Sequence, residues 1–293
     1  MGSSKFDYHS PGSVEEAVRL LLDLGEGACV LAGGTDLLVK CHHGMIHPKA
    51  VVSLNAIDGL KSITFKRNQG LTIGAGARLA DVEAHPDIRR RYPAVAYAAS
   101  VTANTQIRNM GTVAGNLCNA APSAENAPTL MAMNAEVAVL GKAGERRLPL
   151  EDFFKGPGKT ALEPEEILTS IFVPLPPPRS GASYQHISAR GKVDISAVCV
   201  GAMATLSKGA CQEVRIALGA VAPVPMRAGK AERILQGKKP TPERIEQAAE
   251  QAMKESRPIS DMRASAAYRK AMVRVLTKRA LQEALMRARK TRG

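Results

Sequence analysis

Hydrophobic positions along this chain change their spacing several times, and each change marks an element. Val14, Ala17, Val18, Leu21 and Leu22 recur at helical spacing behind Ser13-Val14-Glu15-Glu16, a capping box in which Ser13 takes the N3 amide and Glu16 reaches back. Gly25 suits the C′ position of that helix. The apolar run 28–31 then reads as a strand, followed by two adjacent glycines, a short helix over 36–40 and a strand at 51–54. Further on, the pattern predicts a strand within 71–78 and helices over 79–83 and 94–101 packed on its sheet. A short apolar helix at 127–133, a strand at 136–140, a helical turn around Phe153-Phe154 and a strand at 166–173 follow. Pro174-Leu175-Pro176-Pro177-Pro178 then stops regular structure, because proline removes the backbone donor. The chain is expected to divide there, into 1–176 (subdomains about 1–55 and 56–176) and 179–293. In the second part, 183–188, 195–207 and 213–222 read as strands, and 227–235, 242–254 and 265–289 as helices. Strands followed by helices predict an α+β unit, a three-stranded antiparallel meander backed by a helical layer.

Composition narrows the class. At 293 residues, with 45% apolar and 23% charged residues, the chain has the makeup of a globular protein with room for two domains. It contains no run of about 18 apolar residues that would cross a bilayer. The start, Met1-Gly2-Ser3-Ser4-Lys5, lacks the apolar segment of a secretory signal. Cys29, Cys41, Cys118, Cys199 and Cys211 are scattered without a C-x-x-C pair. That pattern points to reduced thiols in the cytoplasm and against an iron–sulfur cluster held by this chain alone.

Charge is unevenly placed. The net charge is +13, and from Arg257 to Gly293 eleven Lys/Arg stand against Asp261 and Glu283, so 11 − 2 = +9 comes from the tail. A basic helix can bind nucleic acid, but aromatics are 3% and Trp is absent, which leaves little for base stacking. Docking on an acidic protein partner is the expectation for this tail.

Several chemical candidates fail on spacing. Cys41-His42-His43-Gly44 with His47 crowds all its metal-ligand types into seven residues and reads as a polar loop. Leu71-Thr72-Ile73-Gly74-Ala75-Gly76-Ala77-Arg78 opens like a dinucleotide fingerprint, yet Leu79 stands where the third glycine belongs. Glycines in a strand where backbones approach closely explain it better. Tyr184, His186, Arg190 and Asp194 gather at a strand–turn–strand where a domain interface can receive them. No nucleophile triad and no P-loop is legible.

Two stretches do carry chemistry. In Val30-Leu31-Ala32-Gly33-Gly34-Thr35-Asp36-Leu37-Leu38, paired glycines permit φ > 0 and leave backbone N–H groups open to an anion. Alone, the same stretch also suits a tight strand–helix turn with Thr35 or Asp36 as N-cap. Eighty residues on, Gln106-Ile107-Arg108-Asn109-Met110-Gly111-Thr112-Val113-Ala114-Gly115-Asn116-Leu117-Cys118-Asn119-Ala120-Ala121-Pro122 is dense in small residues, hydroxyls and amides. Such residues make a poor helix or strand and suit a loop wrapped around a ligand.

Taken together, the two stretches resemble the two FAD-binding loops of the flavin subunit of molybdenum hydroxylases. That is the xanthine dehydrogenase, aerobic carbon monoxide dehydrogenase and 4-hydroxybenzoyl-CoA reductase family. Tyr184…Arg190…Asp194 and Ala264-Ser265-Ala266-Ala267-Tyr268-Arg269 look like landmarks of that family's C-terminal domain. The resemblance implies a two-subdomain FAD domain of the vanillyl-alcohol-oxidase type followed by a smaller α+β domain.

It also implies that Leu31, Ala32, Gly33, Gly34, Thr35, Asp36 and Leu37, with Thr112, Val113, Ala114, Gly115 and Asn116, hold the FAD pyrophosphate. Glu125 takes the place of a family Asp near the ribose, and Leu168 lies close to the flavin or adenine. His186 stands where the family usually has a Lys, and Ala114 where it commonly has a Gly. The implied partners are a large molybdopterin subunit and a small [2Fe–2S] subunit, in a dimer of heterotrimers. FAD collects single electrons from the iron–sulfur partner and hands them to an external acceptor. The extra cysteines of the ring-reducing members are not visible, which favours hydroxylation over ring reduction. A stand-alone flavin oxidoreductase of the same FAD fold, or a basic nucleic-acid-binding protein, are the competing readings.

Overall fold

The first helix forms where the capping box stands, over Val14–Leu24. The Ser13 hydroxyl accepts from Glu16 N at 3.1 Å, and the Glu16 carboxylate reaches one residue further than expected, to Gly12 N at 2.8 Å. The computed structural model describes residues 5–191 and 194–291, so the reading made at Met1–Ser4 lies outside the described residues. Ala28–Leu31 and Ala50–Ser53 pair in parallel, and Asp7–His9, a strand with no clear sequence signal, pairs on the other side of Ala50–Ser53.

A five-stranded antiparallel sheet follows, ordered Ile63–Lys66, Gly70–Gly74, Ile167–Pro174, Glu136–Gly141, Gly144–Pro149. Gly74 sits where expected: a Cβ there would stand 2.8 Å from the Leu60 carbonyl carbon. Leu79–Ala84, Pro86–Arg91, Pro93–Val101 and Asn126–Ala132 cover this sheet and share its core through Leu71, Ile73, Val82, Ile88, Leu130 and Ile171.

The last sheet corrects the meander. It has four strands, not three: Ser180–Ser188, Ser196–Ser207, Ala210–Gly219 and the two-residue edge Met226–Arg227. So short an edge carries no periodicity for a sequence reading to find. Gly229–Leu235, Pro242–Glu255 and Ala266–Lys290 form the helical layer, with Val200, Ile216, Leu218, Leu276 and Leu281 in a second core. The Ser180–Gly219 part of this sheet lies on Asn126–Ala132, because Gly201 leaves room for the Pro128 and Thr129 backbone; a Cβ would stand 2.7 Å from Thr129 N. Ala220 N also donates to Pro122 O at 2.7 Å.

Five of the ten described Lys/Arg in the basic tail are paired within the chain. Arg269, 4% exposed, donates to Ala197 O and Ala220 O at 2.9 Å each and to Asp261 at 2.7 Å. Arg274 and Lys278 pair with Glu246, and Arg287 pairs with Glu283 and donates to Ala182 O. The sequence charge of the tail therefore overstates the cation surface it offers, which among the described residues rests on Arg257, Lys270, Arg279, Arg289 and Lys290. Among the described residues no helix is long and apolar enough to cross a membrane.

Candidate functional site

The strand Ala28–Leu31 ends at the paired glycines, and Gly34 takes φ +74°, the left-handed region that glycine reaches without strain. The helix that follows is Leu37–His42; Asp36 stands at its N-cap position but its side chain makes no capping bond. The second stretch is not one loop, as its composition suggests, but two short helices. Asn104 caps Thr105–Arg108 by accepting from Ile107 N, and Thr112 caps Val113–Cys118 by accepting from Gly115 N at 2.8 Å. Cap side chains outweigh the weak interior propensities of Gly and Asn in so short a helix. Ala114 lies inside this helix with φ negative, so alanine fits where the family commonly has glycine.

The two stretches meet backbone to backbone. A Cβ on Gly33 would stand 2.7 Å from Gly111 Cα and closer still to Met110 O. Gly33 is thus required by the chain's own second turn, and not only by the approach of a ligand. Asn119 ties the pair together: its amide donates to Asp36 Oδ1 at 3.1 Å, and its Oδ1 accepts from Lys40 Nζ at 2.6 Å. Burial pushes the Asp36 carboxyl up, against the pull of Lys40.

Between the turns opens a cavity of about 670 Å³, within the range of small-molecule and cofactor sites. Of the sequence-predicted residues, Ala32, Gly33, Gly34, Thr35, Asp36, Leu37, Thr112, Ala114, Gly115, Asn116, Glu125 and Leu168 line it. Leu31 and Val113 turn their side chains into the protein interior, and His186 stands behind the wall. Asp194 and Ile195, from the second half of the chain, close one side. Cys41 is buried, and among the described residues no three His, Cys, Asp or Glu side chains converge as a metal site.

Behind the wall lies a buried polar cluster. Glu125 is 6% exposed; its Oε1 accepts from Ser196 Oγ at 2.6 Å, while Oε2 has no partner. Burial raises its carboxyl to about 7, against the lowering effect of the Ser196 bond. Ser196 Oγ also lies 3.4 Å from His186 Nδ1, and His186 stacks on Tyr184 with ring centres 5.8 Å apart. Desolvation lowers the imidazole, so it is neutral at pH 7. Oε2 is buried without a partner in a residue that lines the cavity, and an unpartnered buried acceptor costs about 1–3 kcal/mol.

Sequence reading passed over the roles of Lys40, Asn119 and Ser196. Asn119 was in plain view within the second stretch. Ser196 had no local signal, since its partner Glu125 is 71 residues away.

Residues 4–176 match the FAD binding domain in molybdopterin dehydrogenase, and residues 182–284 the CO dehydrogenase flavoprotein C-terminal domain. The chain belongs to the FAD-binding subunits of the molybdenum hydroxylase family and is an oxidoreductase subunit. It is 33% identical over 282 residues to a putative xanthine dehydrogenase FAD-binding subunit of Escherichia coli strain K12, covering 96% of both chains. It is 34% identical over 285 residues to the carbon monoxide dehydrogenase medium chain of Hydrogenophaga pseudoflava, covering 97% of this chain and 98% of that one. A solved carbon monoxide dehydrogenase from the same organism superposes with a TM-score of 0.94, covering 98% and 99% of the two chains at 34% identity. Quinoline 2-oxidoreductase from Pseudomonas putida 86 superposes at 0.90, with 30% identity and coverage of 98% and 99%.

Proposed function

We propose that this chain is the FAD-carrying electron-transfer subunit of a heteromeric molybdenum hydroxylase, working beside a large molybdopterin subunit and a small [2Fe–2S] subunit in a dimer of heterotrimers. Bound FAD supplies the capacity to take electrons singly from an iron–sulfur cluster and to pass them to an external acceptor. The chain's own residues bind, orient and shield that group. The observation that carries the reading is the meeting of two small-residue turns, eighty residues apart in sequence, across one cavity.

The donor set fits FAD. Gly34 and Gly115 leave backbone open on two walls, Leu168 and Leu79 offer apolar faces for a ring, and Glu125 Oε2 is an acceptor suited to a ribose hydroxyl. In this reading 32–37 and 112–116 cradle the pyrophosphate, the backbone of Leu31 and Val113 shapes the turns, and His186 acts through Ser196. The two-subdomain FAD unit is of the vanillyl-alcohol-oxidase type, the chain divides at the proline run, and the complex works in the cytoplasm. Purification of the chain followed by acid precipitation tests the assignment. Free FAD in the supernatant, about one per chain, is the expected result. A colourless protein, or yellow colour held in the pellet by a covalent tether, refutes it.

A further inference from the structure

Glu125, Ser196 and His186 come from different parts of the fold and form one row, His186–Ser196–Glu125. A serine hydroxyl has one proton, and at 2.6 Å that proton is committed to Glu125 Oε1. Towards His186 the oxygen can then only accept, so Nδ1 carries the proton in that contact. This order differs from a nucleophile triad, in which the serine proton points to the imidazole and the acid holds the imidazole's far side. Here the hydroxyl is the middle member, which suits transfer and not attack. The ends differ as a conduit requires. His186 is half-buried at the outer end, while Glu125 lines the cavity at the inner end with Oε2 unpartnered.

We propose that His186, Ser196 and Glu125 form a proton relay that delivers a proton from solvent to the cavity wall, and this rests on the reading of that cavity as the FAD site. In the step, a hydronium ion or buffer acid from solvent protonates His186 at Nε2, leaving water or the buffer base behind, and the Nδ1 proton passes to Ser196 Oγ. The original Ser196 proton moves to Glu125 Oε1. His186 ends neutral in the other tautomer, Ser196 is unchanged, and Glu125 becomes a neutral acid. One proton enters and one negative charge is cancelled, with no oxidant or reductant. Negative charge arriving in a low-dielectric cavity raises the proton affinity of the nearest carboxylate, so electron arrival would draw the proton along this row.

The other ionisable groups around the row do not compete. Tyr184 and Cys199 are buried on the same strands, and desolvation together with the charge of Glu125 holds both protonated at neutral pH. Arg190 and Asp194 pair with each other at the rim, and Arg269 is committed to Ala197 O, Ala220 O and Asp261. Of the groups named here, Glu125 and His186 are left to exchange protons near neutrality.

The test uses the full-length chain with its FAD, and the variants Ser196→Ala and His186→Gln. Proton uptake on chemical reduction is followed with an indicator dye in weak buffer, and the carbon-13 carboxyl signal of Glu125, assigned with Glu125→Gln, is titrated from about pH 5 to about pH 8. Loss of either Ser196 or His186 should slow proton uptake on the order of 100-fold. The Ser196→Ala titration midpoint should rise, because the bond that favours the carboxylate is gone. Wild-type uptake rates in both variants would overturn the relay, as would a Glu125 midpoint that ignores Ser196. Flavin absorbance on the same samples separates the two readings. A chain without FAD removes the cofactor assignment, while the titration still decides whether the row is coupled.

Discussion

Gly33→Ala isolates the contact on which the cavity depends. The added carbon would stand 2.7 Å from Gly111 Cα and from the Met110 carbonyl carbon, in backbone that no rotamer change can clear. Ordinary carbon contacts lie at about 3.5–4.0 Å, so the two turns must part by about 1 Å. That movement takes the Asn119 bonds to Asp36 and Lys40, now 3.1 and 2.6 Å, to or past the edge of hydrogen-bond geometry. Overpacking of this kind costs about 1–3 kcal/mol. If the strain is relieved by opening the cavity, FAD binding weakens about 5-fold to about 150-fold, at ~1.4 kcal/mol per tenfold. Gly34→Ala provides the contrast. Its added carbon's nearest neighbours are side-chain atoms of Leu38 and Leu31, at 3.0 and 3.1 Å, and its main cost is φ +74°, about 1–2 kcal/mol for a non-glycine residue. Fluorescence titration of the flavin-free proteins with FAD, with thermal melts to confirm folding, gives the two affinities. If Gly33→Ala binds FAD as tightly as wild type, the turn-to-turn contact does not shape the site.

Other expectations follow from paired and unpaired charges. Arg269→Met removes the guanidinium from the Ala197 and Ala220 carbonyls and from Asp261 and should cost about 3 kcal/mol, read from urea unfolding midpoints. Asp261 is held down to about 2, chiefly by the Arg263 amide and also by the Arg269 guanidinium. Its contribution is complete above the ordinary aspartate value near 3.9, and it fades as pH falls through about 2; Asp261→Asn should flatten acid unfolding in that window. Glu125 has the opposite sign. Its raised value means the folded chain holds a proton the unfolded chain has released, so wild-type stability relative to Glu125→Gln should fall from about pH 4.5 to about pH 7, and a flat difference in melting temperature refutes the shift. Arg289→Glu with Lys290→Glu should weaken capture of partner subunits and its dependence on low salt, whereas Arg287→Glu would confuse docking with the loss of its bonds to Ala182 and Glu283.

Legibility in the sequence followed the range of the interaction. Helix starts were plain because Ser13, Thr241 and Ser265 make their capping bonds within three residues. The glycine turn was plain as a turn, and the decoy at Gly74 resolved correctly because glycines inside a strand pattern signal close backbone approach. The second stretch misled, since composition disfavours helix there while Asn104 and Thr112 impose it locally. Long-range pairings left no trace. Nothing near Gly33 announces Met110, nothing near Glu125 announces Ser196, and nothing in the tail announces that Glu246 absorbs part of its charge.

The cavity wall draws on the turn after Ala28–Leu31, the Thr112 cap with Leu168, and Asp194-Ile195 from beyond the proline run. A ligand that touches all three parts binds the assembled chain and not its pieces, so it stabilises the whole by RT ln(1 + [L]/Kd). Glu125 adds a condition to that coupling, because its partner Ser196 belongs to the sheet that Gly201 seats on Asn126–Ala132. Separation of the sheet from that helix would expose the carboxylate to water and remove the cause of its raised value. Cofactor retention, the protonation of Glu125 and the seating of the C-terminal sheet are therefore three readouts of one packed seam. A change that loosens that seam should move all of them together.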